Sequence, residues 1–468
     1  MLKKNDEKIG LVVALSNEGD GIIKDEDLTI FVPFALQGEK VKYKILKVIK
    51  KIAFAKLLEV IEPSSDRIEP ICPVFKKCGG CQLQHVKYNK QLDIKREAII
   101  NSFNKVAFLD VNPKNVVTGE SSFRYRNKIS LPVSQQGENI LVGFYAENSH
   151  RVIDIEDCPI NPIWTPLIIK SLKTFMKNNN LKGYDDFLKK GDVREITVRE
   201  IDSKLIITLV TTIKSVKNLN DFIEILKNNL TNQFSLYINV KNDNTNKIYG
   251  EDFYLVYGDG EYQGDMLGIK FPMGVQSFMQ VNTSVCQKLY SKVIELVDAS
   301  HDSVVIDAYS GAGVMTALLA KNAKKVIGIE IIKEATLLAN DLKDKNGLSQ
   351  KVENFNGKCE EIMPRIIERE KQNGKKITVV LDPPRKGCDL EVINSLIKSD
   401  IDKIIYVSCK PTTLARDVGL IVGSLEIDGD KVVKAENNLN RYNIEKVIPF
   451  DMFPNTKHVE TLVVLQRK

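Results

Sequence analysis

Cys409 lies in the stretch IIYVSCKPTTLARD, between a run of apolar β-forming residues and a Lys-Pro pair that ends the predicted strand. Cysteine is among the most often buried residue types, so an inert packing role is the simplest interpretation of a single thiol. The strand end, and the charge of Lys410, which can lower the thiol pKa, instead favour a nucleophile. Cys286, Cys359 and Cys388 have no comparable setting, and we expect them to be structural.

A regular alternation of strands and helices from Phe271 onward must position this thiol. SVVIDAY, KKVIGIEII, KKITVVLDPP and DKIIYVSC are predicted strands by their β-branched runs, with helix-forming stretches between them. This pattern indicates a doubly wound parallel sheet, in which ligands bind beyond the carboxyl ends of the strands. We therefore expect one crevice that brings together Asp307, Tyr309, Gly311, Gly313, Glu330, Asp382 and Cys409.

The first turn of this region, VIDAYSGAGVMT, indicates the kind of cofactor. Thr316 stands where the dinucleotide fingerprint has its third glycine, so nothing brings a pyrophosphate close. Glu330 lies about 20 residues further on, where an acidic residue accepts hydrogen bonds from a ribose diol. A nucleoside without phosphates fits both features, and S-adenosylmethionine is the expected cofactor. The alternative for Glu330 is a surface carboxylate at a strand end.

A thiolate beside a methyl donor suggests one reaction. Carbon C5 of uracil is too weak a nucleophile to take a methyl group directly, but thiolate addition at C6 gives an enolate whose C5 attacks the sulfonium methyl. A base must then remove the C5 proton so that the thiol can leave. The C-terminal segment DMFPNTKHVETLVVLQRK offers His458 and Glu460, both before a predicted closing strand.

A second group of cysteines has the spacing of a metal site. CPVFKKCGGCQLQH contains Cys72, Cys78 and Cys81, and IEDCPI adds Cys158. Clustered thiols in a reducing compartment more often hold metal or do chemistry than form disulfides. Three cysteines with His85 would suit zinc, whereas four thiolates suit a [4Fe-4S] cluster and are also accepted by zinc. The spacing alone leaves the choice open.

The motifs, taken together, resemble those of a known family. QSFMQVN, DAYSGAG, GIE, LDPPRKG, YVSCKPTTLARD and DMFPNTKHVE are similar, in that order, to the motifs of the RNA uracil-C5 methyltransferases. Together with the cysteine cluster and a small β-barrel predicted for residues 1–63, they look most like the 23S ribosomal RNA branch. The resemblance implies that Cys409 is the nucleophile and Glu460 the base. It implies S-adenosylmethionine contacts from Gln280, Tyr309, Gly311, Glu330 and Asp382, and a structural or RNA-positioning [4Fe-4S] cluster on Cys72, Cys78, Cys81 and Cys158.

The same resemblance implies contacts to RNA. Phe278 would stack on an extruded target base, and its alternative is an ordinary core phenylalanine. Arg124 and Arg126 in RYRNK would hold phosphates, and their alternative is surface charge pairing. The expected partner is 23S ribosomal RNA, with its uridine flipped out or in a single-stranded context. Transfer RNA is the alternative substrate, because members that act on it share the catalytic core.

Differences in sequence pattern along the chain predict three domains. Residues 1–63 contain short β-like runs between glycine turns and predict a small OB-like barrel, which resembles the RNA-binding TRAM domain. In EKVKYKIL, alternation puts Lys40, Lys42 and Lys44 on one strand face, either as a solvated surface or as a platform for a nucleic-acid backbone. Residues 64–270 form a central α+β domain with the cysteine cluster, and residues 271–468 form the methyltransferase domain.

Composition sets broader limits. The 43% hydrophobic and 27% charged content is typical of a globular protein, and the net charge of +6 permits a polyanionic partner without requiring one. Apolar runs such as LVVAL stop far short of the roughly 20 residues of a membrane span. The start, MLKKNDEKIG, lacks the apolar core of a secretory signal. We expect a cytoplasmic monomer without a membrane partner.

Three rival functions remain at this stage. An amino methyltransferase would use Asp382-Pro383-Pro384 followed by an aromatic, but Arg385 stands there and Cys409 would have no role. A folate-dependent uracil methylase would need a flavin site, for which the turn lacks the third glycine. An RNA-binding protein with a decayed catalytic centre would not need Cys409, Asp382 and Glu460.

Overall fold

The computed structural model describes residues 2–297, 303–399, 401–429, 431–437 and 441–468. Its N-terminal part consists of β1 (Glu7–Leu11), β2 (Ala14–Leu15), β3 (Gly21–Asp25), β4 (Leu28–Val32), β5 (Lys40–Ile49) and β6 (Ile52–Glu62). The strand order is β1-β5-β6-β4-β3-β2. Because β1 and β2 follow one another in the chain and pair with opposite edges of this sheet, the sheet closes into the expected small barrel.

The alternation in β5 follows the prediction. Val41, Tyr43 and Ile45 are buried in the barrel core, and the lysines between them lie on the outside. Two of these lysines form surface ion pairs, Lys40 with Glu62 and Lys42 with Glu7. Part of this basic face is therefore neutralised within the barrel.

The central part contains one helix before its sheet and two that cover it. Its elements are α1 (Tyr88–Ser102), a π-helical turn (Phe103–Ala107), β7 (Lys128–Gln136), β8 (Asn139–Tyr145), β9 (Val152–Asp154), α2 (Thr165–Asn178), β10 (Val193–Ile201), β11 (Lys204–Thr211), α3 (Leu219–Asn229), β12 (Phe234–Val240) and β13 (Asp252–Tyr257). The strand order is β13-β12-β11-β10-β7-β8-β9. Apolar residues of α2 and α3 pack on one face of this sheet.

The C-terminal part begins with a β-hairpin and continues as alternating helices and strands. Its elements are β14 (Tyr262–Met266), β15 (Ile269–Met273), α4 (Thr283–Leu296), β16 (Ser303–Ala308), α5 (Val314–Leu319), β17 (Val326–Glu330), α6 (Lys333–Lys345), β18 (Val352–Asn356), α7 (Cys359–Gln372), β19 (Lys376–Leu381), α8 (Leu390–Lys398), β20 (Lys403–Ser408), α9 (Pro411–Val422), β21 (Leu425–Asp428), β22 (Lys431–Lys434), β23 (Tyr442–Phe450) and β24 (Glu460–Arg467).

These strands form the predicted doubly wound sheet, in the order β18-β17-β16-β19-β20-β24-β23. The strands from β18 to β20 in this order are parallel, whereas β24 runs antiparallel to both β20 and β23. The β-branched runs of β16 and β17 are buried along their whole length, as expected for parallel strands covered by helices on both faces.

Helix α1 belongs to the core of this C-terminal sheet. Ile99, Phe103 and Ala107 are fully buried in the same apolar cluster as Leu414 and Val418 of α9. The chain thus crosses into the C-terminal core before it enters the central sheet. None of the helices in the described ranges combines the length and apolar character that a bilayer crossing needs.

Candidate active site

The edge at the carboxyl ends of the parallel strands brings the predicted site residues together. Across this edge, the order β17-β16-β19-β20-β24 gives Glu330, Tyr309, Asp382, Cys409 and Glu460. Glu330 ends β17, the next three each follow a strand end closely, and Glu460 begins the antiparallel β24. Neighbouring strands lie about 4.8 Å apart, so these positions span roughly 20 Å.

Cys409 and Glu460 occupy opposite positions on neighbouring strands. The pairing of β20 with β24 runs to Ser408 opposite Thr461, and the next step of this antiparallel register sets Cys409 opposite Glu460. Side chains opposite one another in such a pair have Cβ atoms about 5 Å apart. The thiol and the carboxyl group can therefore act on one small molecule.

Burial and nearby acids raise the pKa of the Cys409 thiol. Burial contributes most, the charge of Glu460 raises the pKa further, and Arg385 opposes both. Lys410, the cation that the sequence suggested for this role, is not among the groups that mainly shift this pKa, and the cation that lowers it is Arg385. Cys409 is half-buried and lies two residues before α9, whose N-terminal dipole favours a thiolate.

Glu460 is a buried carboxyl group at the start of β24. Its exposed fraction is 3%. Burial, followed by the charge of Asp382, raises its pKa to about 8, and Arg385 opposes this shift. His458, the other predicted candidate for the base, is half-buried near Phe453, and burial lowers its pKa to about 4. At neutral pH, Glu460 thus carries a proton for much of the time and His458 is uncharged.

Asp382 faces the crevice. Its side chain is exposed to solvent, yet the surrounding protein raises the pKa of its carboxyl group to about 6. A carboxyl group at the bottom of a depression contacts solvent and is still surrounded by protein atoms, so its exposure and its raised pKa are compatible. Asp307, the residue before the last of β16, is buried beneath the strand ends. It accepts a hydrogen bond of 2.6 Å from the Thr316 hydroxyl, and burial raises its pKa to about 7.

The turn after β16 lies beside Glu330. The Glu330 carboxylate accepts hydrogen bonds from the backbone N–H groups of Gly311 at 2.9 Å and Ile332 at 2.8 Å. Each carboxylate oxygen can accept a further bond, as a ribose diol would require. Gly311 has a positive φ of 54°, and a Cβ built there has no atom of the described residues within 4 Å. The space above this turn is therefore open for a ligand.

Tyr309 also adopts a positive φ, of 67°. Its side chain is half-buried, and burial together with Cys388 raises the pKa of its hydroxyl group. The hydroxyl group thus faces the buried Cys388 below the strand ends. Cys286, Cys359 and Cys388 are all buried, as expected for structural cysteines.

The loop before α4 carries Gln280 and is held by the central part of the chain. Asn127 donates hydrogen bonds from its backbone N–H to the Val281 carbonyl at 2.8 Å and from its side chain to the Gln280 carbonyl at 2.9 Å. Phe278, in the same loop, is 82% exposed, which excludes the core alternative. Sequence reasoning missed Asn127 and treated Arg385 only as a mismatch, because neither lies in a recognised site pattern.

The four predicted cluster cysteines interact with one another. Burial, with smaller contributions from Cys158, Cys78 and Cys72, raises the pKa of the Cys81 thiol to about 12. Backbone N–H groups point at two of the sulfurs, from Gly80 to Cys78 at 3.3 Å and from Ile160 and Asn161 to Cys158. Within the described ranges, no three His, Cys, Asp or Glu residues are arranged around a single metal ion.

His85 is not part of this group of thiols. Its ring packs against Phe34 and Phe75, with centroid distances of 5.9 and 5.5 Å, and it is fully buried. Burial lowers its pKa to about 3. These contacts disfavour the zinc alternative that uses His85 as a ligand.

The contacts of Arg124 agree with the alternative of surface charge pairing. Its guanidinium donates two hydrogen bonds to the Asp157 carboxylate, at 2.8 and 2.5 Å. It also donates to the carbonyls of Cys158 and Asn161. Arg124 therefore fixes the loop that carries Cys158, whereas Arg126 donates from Nε to the Lys128 carbonyl at 3.3 Å.

Comparisons with known proteins extend over the whole chain. The sequence model of a family described as tRNA (Uracil-5-)-methyltransferase matches residues 87–468. Uncharacterized RNA methyltransferases of Clostridium acetobutylicum and Clostridium tetani are 36% and 37% identical, and the alignments cover 100% and 99% of this chain and 98% and 97% of the relatives. The solved Pyrococcus abyssi tRNA (uracil-54, C5)-methyltransferase in complex with S-adenosyl-L-homocysteine has a TM-score of 0.75, with 25% identity over 98% of this chain and 99% of that chain.

The fold, together with a solved relative that holds S-adenosyl-L-homocysteine, defines a methyltransferase that uses S-adenosylmethionine. A relative that aligns with the whole chain is an RNA methyltransferase, so the class is narrowed to methyltransferases that act on RNA. The chain belongs to the RNA uracil-C5 methyltransferase family, and it catalyses the S-adenosylmethionine-dependent methylation of uracil C5 in RNA. The amino methyltransferase and folate-dependent alternatives are therefore wrong.

Proposed function

We propose that Cys409 is the nucleophile and Glu460 the base of this reaction, and that the target is a uridine of 23S ribosomal RNA. The observation that carries the assignment is the strand register that sets Cys409 opposite Glu460 beside the Asp382 crevice. Gln280, Tyr309, Gly311, Glu330 and Asp382 are the proposed contacts to S-adenosylmethionine.

The first chemical step is attack of the Cys409 sulfur on C6 of uracil. Arg385 supplies positive charge beside the thiol, which favours the thiolate and then the enolate that forms on the ring. When bound, S-adenosylmethionine supplies the methyl group that C5 of this enolate takes. Phe278, exposed in the loop that carries Gln280, provides a face on which the extruded base can stack.

The second step removes the proton from C5 and breaks the bond between C6 and the cysteine sulfur. Glu460 is suited to this step because its buried carboxylate is a strong base, with its pKa raised to about 8. Once the C5 proton has moved to Glu460, the electron pair forms the C5–C6 double bond and expels the Cys409 thiolate. The product is 5-methyluridine, and Glu460 returns its proton to solvent.

The thiol group in the central part fits a [4Fe-4S] cluster on Cys72, Cys78, Cys81 and Cys158. The support is the chemistry of the donors: four mutually interacting thiols, with backbone N–H groups directed at two of the sulfurs. We assign the cluster a structural role, since Cys409 lies in another part of the chain.

The choice of 23S ribosomal RNA rests on the resemblance of the N-terminal barrel and cysteine pattern to that branch. We propose that residues 1–63 are a TRAM-like RNA-binding domain and that the protein acts as a cytoplasmic monomer. Transfer RNA is the second candidate, because the Pyrococcus abyssi enzyme, named for a transfer RNA uracil, is similar over nearly the whole chain.

The deciding experiment mixes the protein with S-adenosylmethionine and RNA that contains 5-fluorouridine. Fluorine at C5 cannot leave as a proton, so a C5 methylase is trapped as a covalent adduct, detected by denaturing gel and mass spectrometry. Fragments of 23S ribosomal RNA and, in parallel, transfer RNA serve as substrates, with Cys409→Ala as the matched control. An adduct that survives in Cys409→Ala rejects the nucleophile assignment, and an adduct with transfer RNA alone rejects the ribosomal target.

A further inference from the structure

A cavity of about 420 Å³ lies on the central sheet, outside the site described above. Its floor is the face of β7 and β10 that α2 and α3 leave uncovered, represented by Ser130 and Glu195. Its walls come from β8, from residues 184–186 and from the asparagine-rich segment 241–248. The volume is large enough for one nucleoside.

The walls of this cavity have the chemistry of a base-binding site. Tyr145 and Tyr184 contribute aromatic rings, and the Arg194 guanidinium lies 4.1 Å from the centroid of the Tyr184 ring. Unstacked RNA bases bind on such aromatic and guanidinium planes and are hydrogen-bonded along their edges. The Glu195 carboxylate, bonded to the Ser130 hydroxyl, lies at the floor and accepts hydrogen bonds only. It therefore selects a base that presents N–H donors, and guanine presents two side by side.

Two cations on the same sheet face form a site for a phosphate. Arg199 is 4% exposed, and its Nε and Nη1 atoms have no hydrogen-bond partner among the described residues. It pairs across the sheet with Lys128, whose pKa burial and the charge of Arg199 lower to about 8. A buried guanidinium without an anion is unfavourable, so this site is built for an anion that arrives from outside.

The cavity and the cation pair lie on a line that leads to the catalytic crevice. Lys128, Ser130 and Pro132 share one face of β7, and Asn127, just before them, bonds to the loop of Gln280. At about 3.3 Å per residue, the cavity floor begins roughly 10 Å from Asn127. A few nucleotides of single-stranded RNA cover this distance.

We propose that the face of the central sheet is a second nucleotide-binding site for the RNA substrate. The cavity takes one unstacked base of the substrate strand, preferably guanine, and Arg199 with Lys128 takes a phosphate between that base and the target uridine. This inference rests on the RNA uracil methylation established for the family and adds a contact that selects the sequence around the target.

The first test maps RNA contacts by photo-crosslinking. The full-length protein is trapped on a 5-fluorouridine RNA that also contains either 6-thioguanosine or 4-thiouridine, irradiated, digested and analysed by mass spectrometry. We expect crosslinks from 6-thioguanosine to peptides that contain Tyr145, Tyr184 or residues 241–248. If no adduct forms, the nucleophile assignment fails. The same crosslinking, carried out on the non-covalent complex, then tests the second nucleotide-binding site independently. Crosslinks confined to other peptides overturn the proposal.

The second test separates an RNA-binding role of Arg199 from a structural one. Arg199→Met keeps the side-chain length and removes the unpaired charge, so we expect the melting temperature to rise by about 2 °C or more. The KM for RNA should rise about tenfold, with kcat and S-adenosylmethionine affinity unchanged, and the salt dependence of binding should lose about one phosphate contact. Lys170→Met, on the exposed side of α2, removes the same charge from the opposite face and serves as the control. A lower melting temperature, or an unchanged KM, overturns the phosphate assignment.

Glu195→Gln tests the base preference. The amide replaces one acceptor oxygen by a donor, so RNA with guanosine near the target uridine should bind about tenfold more weakly. Substitution of inosine, which lacks one of the two N–H donors, should weaken binding to the unmodified protein and have little further effect on Glu195→Gln. Equal binding of both RNAs by the unmodified protein contradicts the guanine assignment.

Discussion

Glu460 has an environment that departs far from that of an ordinary carboxylate. It is buried, and among the described residues only Arg385 lowers its pKa, against burial and Asp382. If it is the base, Glu460→Gln can still be attacked and methylated but cannot lose the C5 proton. We expect turnover to fall by at least 10²-fold and a methylated covalent protein–RNA adduct to accumulate on ordinary uridine RNA. Mass spectrometry of the adduct checks this, and unchanged turnover would reject the assignment.

The pKa of Glu460 also predicts how stability depends on pH. Its value is raised from 4.5 to about 8, so between these values the folded protein holds a proton that the unfolded chain has released. The unfolded chain binds fewer protons, and the contribution of Glu460 to stability therefore decreases as pH rises from about 4.5 to about 8. Glu460→Gln removes this contribution.

Urea unfolding of both proteins at pH 5 and pH 8.5 measures this effect. The variant should gain on the order of a few kcal/mol of unfolding free energy relative to the native protein at the higher pH. Asp307 and Asp382 also have raised pKa values, but they are present in both proteins and cancel in the comparison. The same difference at both pH values would contradict the raised pKa.

At the scale of secondary-structure elements, the turn after β16 shapes the cofactor side of the crevice. Its two glycines, Gly311 and Gly313, have different surroundings. A Cβ on Gly313, at a φ of 84°, would lie 2.7 Å from the Cβ of Ala339 in α6, whereas one on Gly311 meets open space. Gly313→Ala should therefore lower the unfolding free energy by roughly 1–3 kcal/mol. Gly311→Ala should cost about 1 kcal/mol through its backbone conformation and lower S-adenosylmethionine affinity about tenfold. Chemical denaturation and calorimetric titration distinguish the two, and equal effects on affinity would contradict the assignment of Gly311.

The segment before β24 holds Glu460 in place through Asn455. The Asn455 carbonyl accepts hydrogen bonds from the backbone of Gln82 and Leu83, and its side chain donates to the Ser122 carbonyl at 2.7 Å. Asn455 has a positive φ of 67°, so Asn455→Gly removes the side-chain bonds without backbone strain. We expect a loss of roughly 2 kcal/mol of stability and a lower kcat, with unchanged S-adenosylmethionine affinity. An unchanged kcat would show that Glu460 is held independently.

At the scale of the whole molecule, the sequence predicted what depends on local pattern. The strand ends at Asp382 and Cys409 follow runs of β-branched residues, so their meeting at one edge follows from the parallel sheet. The contact of Asn127 with the Gln280 loop joins positions 153 residues apart, and no local pattern encodes it. No local pattern in the asparagine-rich segment 241–248 indicates that it forms a cavity wall, because that role depends on strands from elsewhere in the chain.

Long-range contacts also decide which parts of the chain can fold alone. Lys95 of α1 and Asp451 form a fully buried ion pair at 2.5 Å, and the Tyr88 hydroxyl donates to the same carboxylate at 2.8 Å. A chain that begins at residue 271 lacks Lys95 and Tyr88, so Asp451 loses both of these partners. It also loses Phe103, which is fully buried in the core of the C-terminal sheet.

We therefore expect residues 271–468 not to fold as a stable unit, although the sequence predicts a domain there. Residues 64–468 should bind S-adenosylmethionine but fold less stably than the full chain. Removal of the barrel uncovers Leu83, Val86 and Ile94, which pack against Leu36, and it takes the buried Glu39 carboxylate away from Arg67. Their RNA affinity should fall if the barrel binds RNA. Circular dichroism melting and calorimetric titration of both fragments test this. A cooperative transition of the shorter fragment at the melting temperature of the full chain would mean that α1 is dispensable for the C-terminal core.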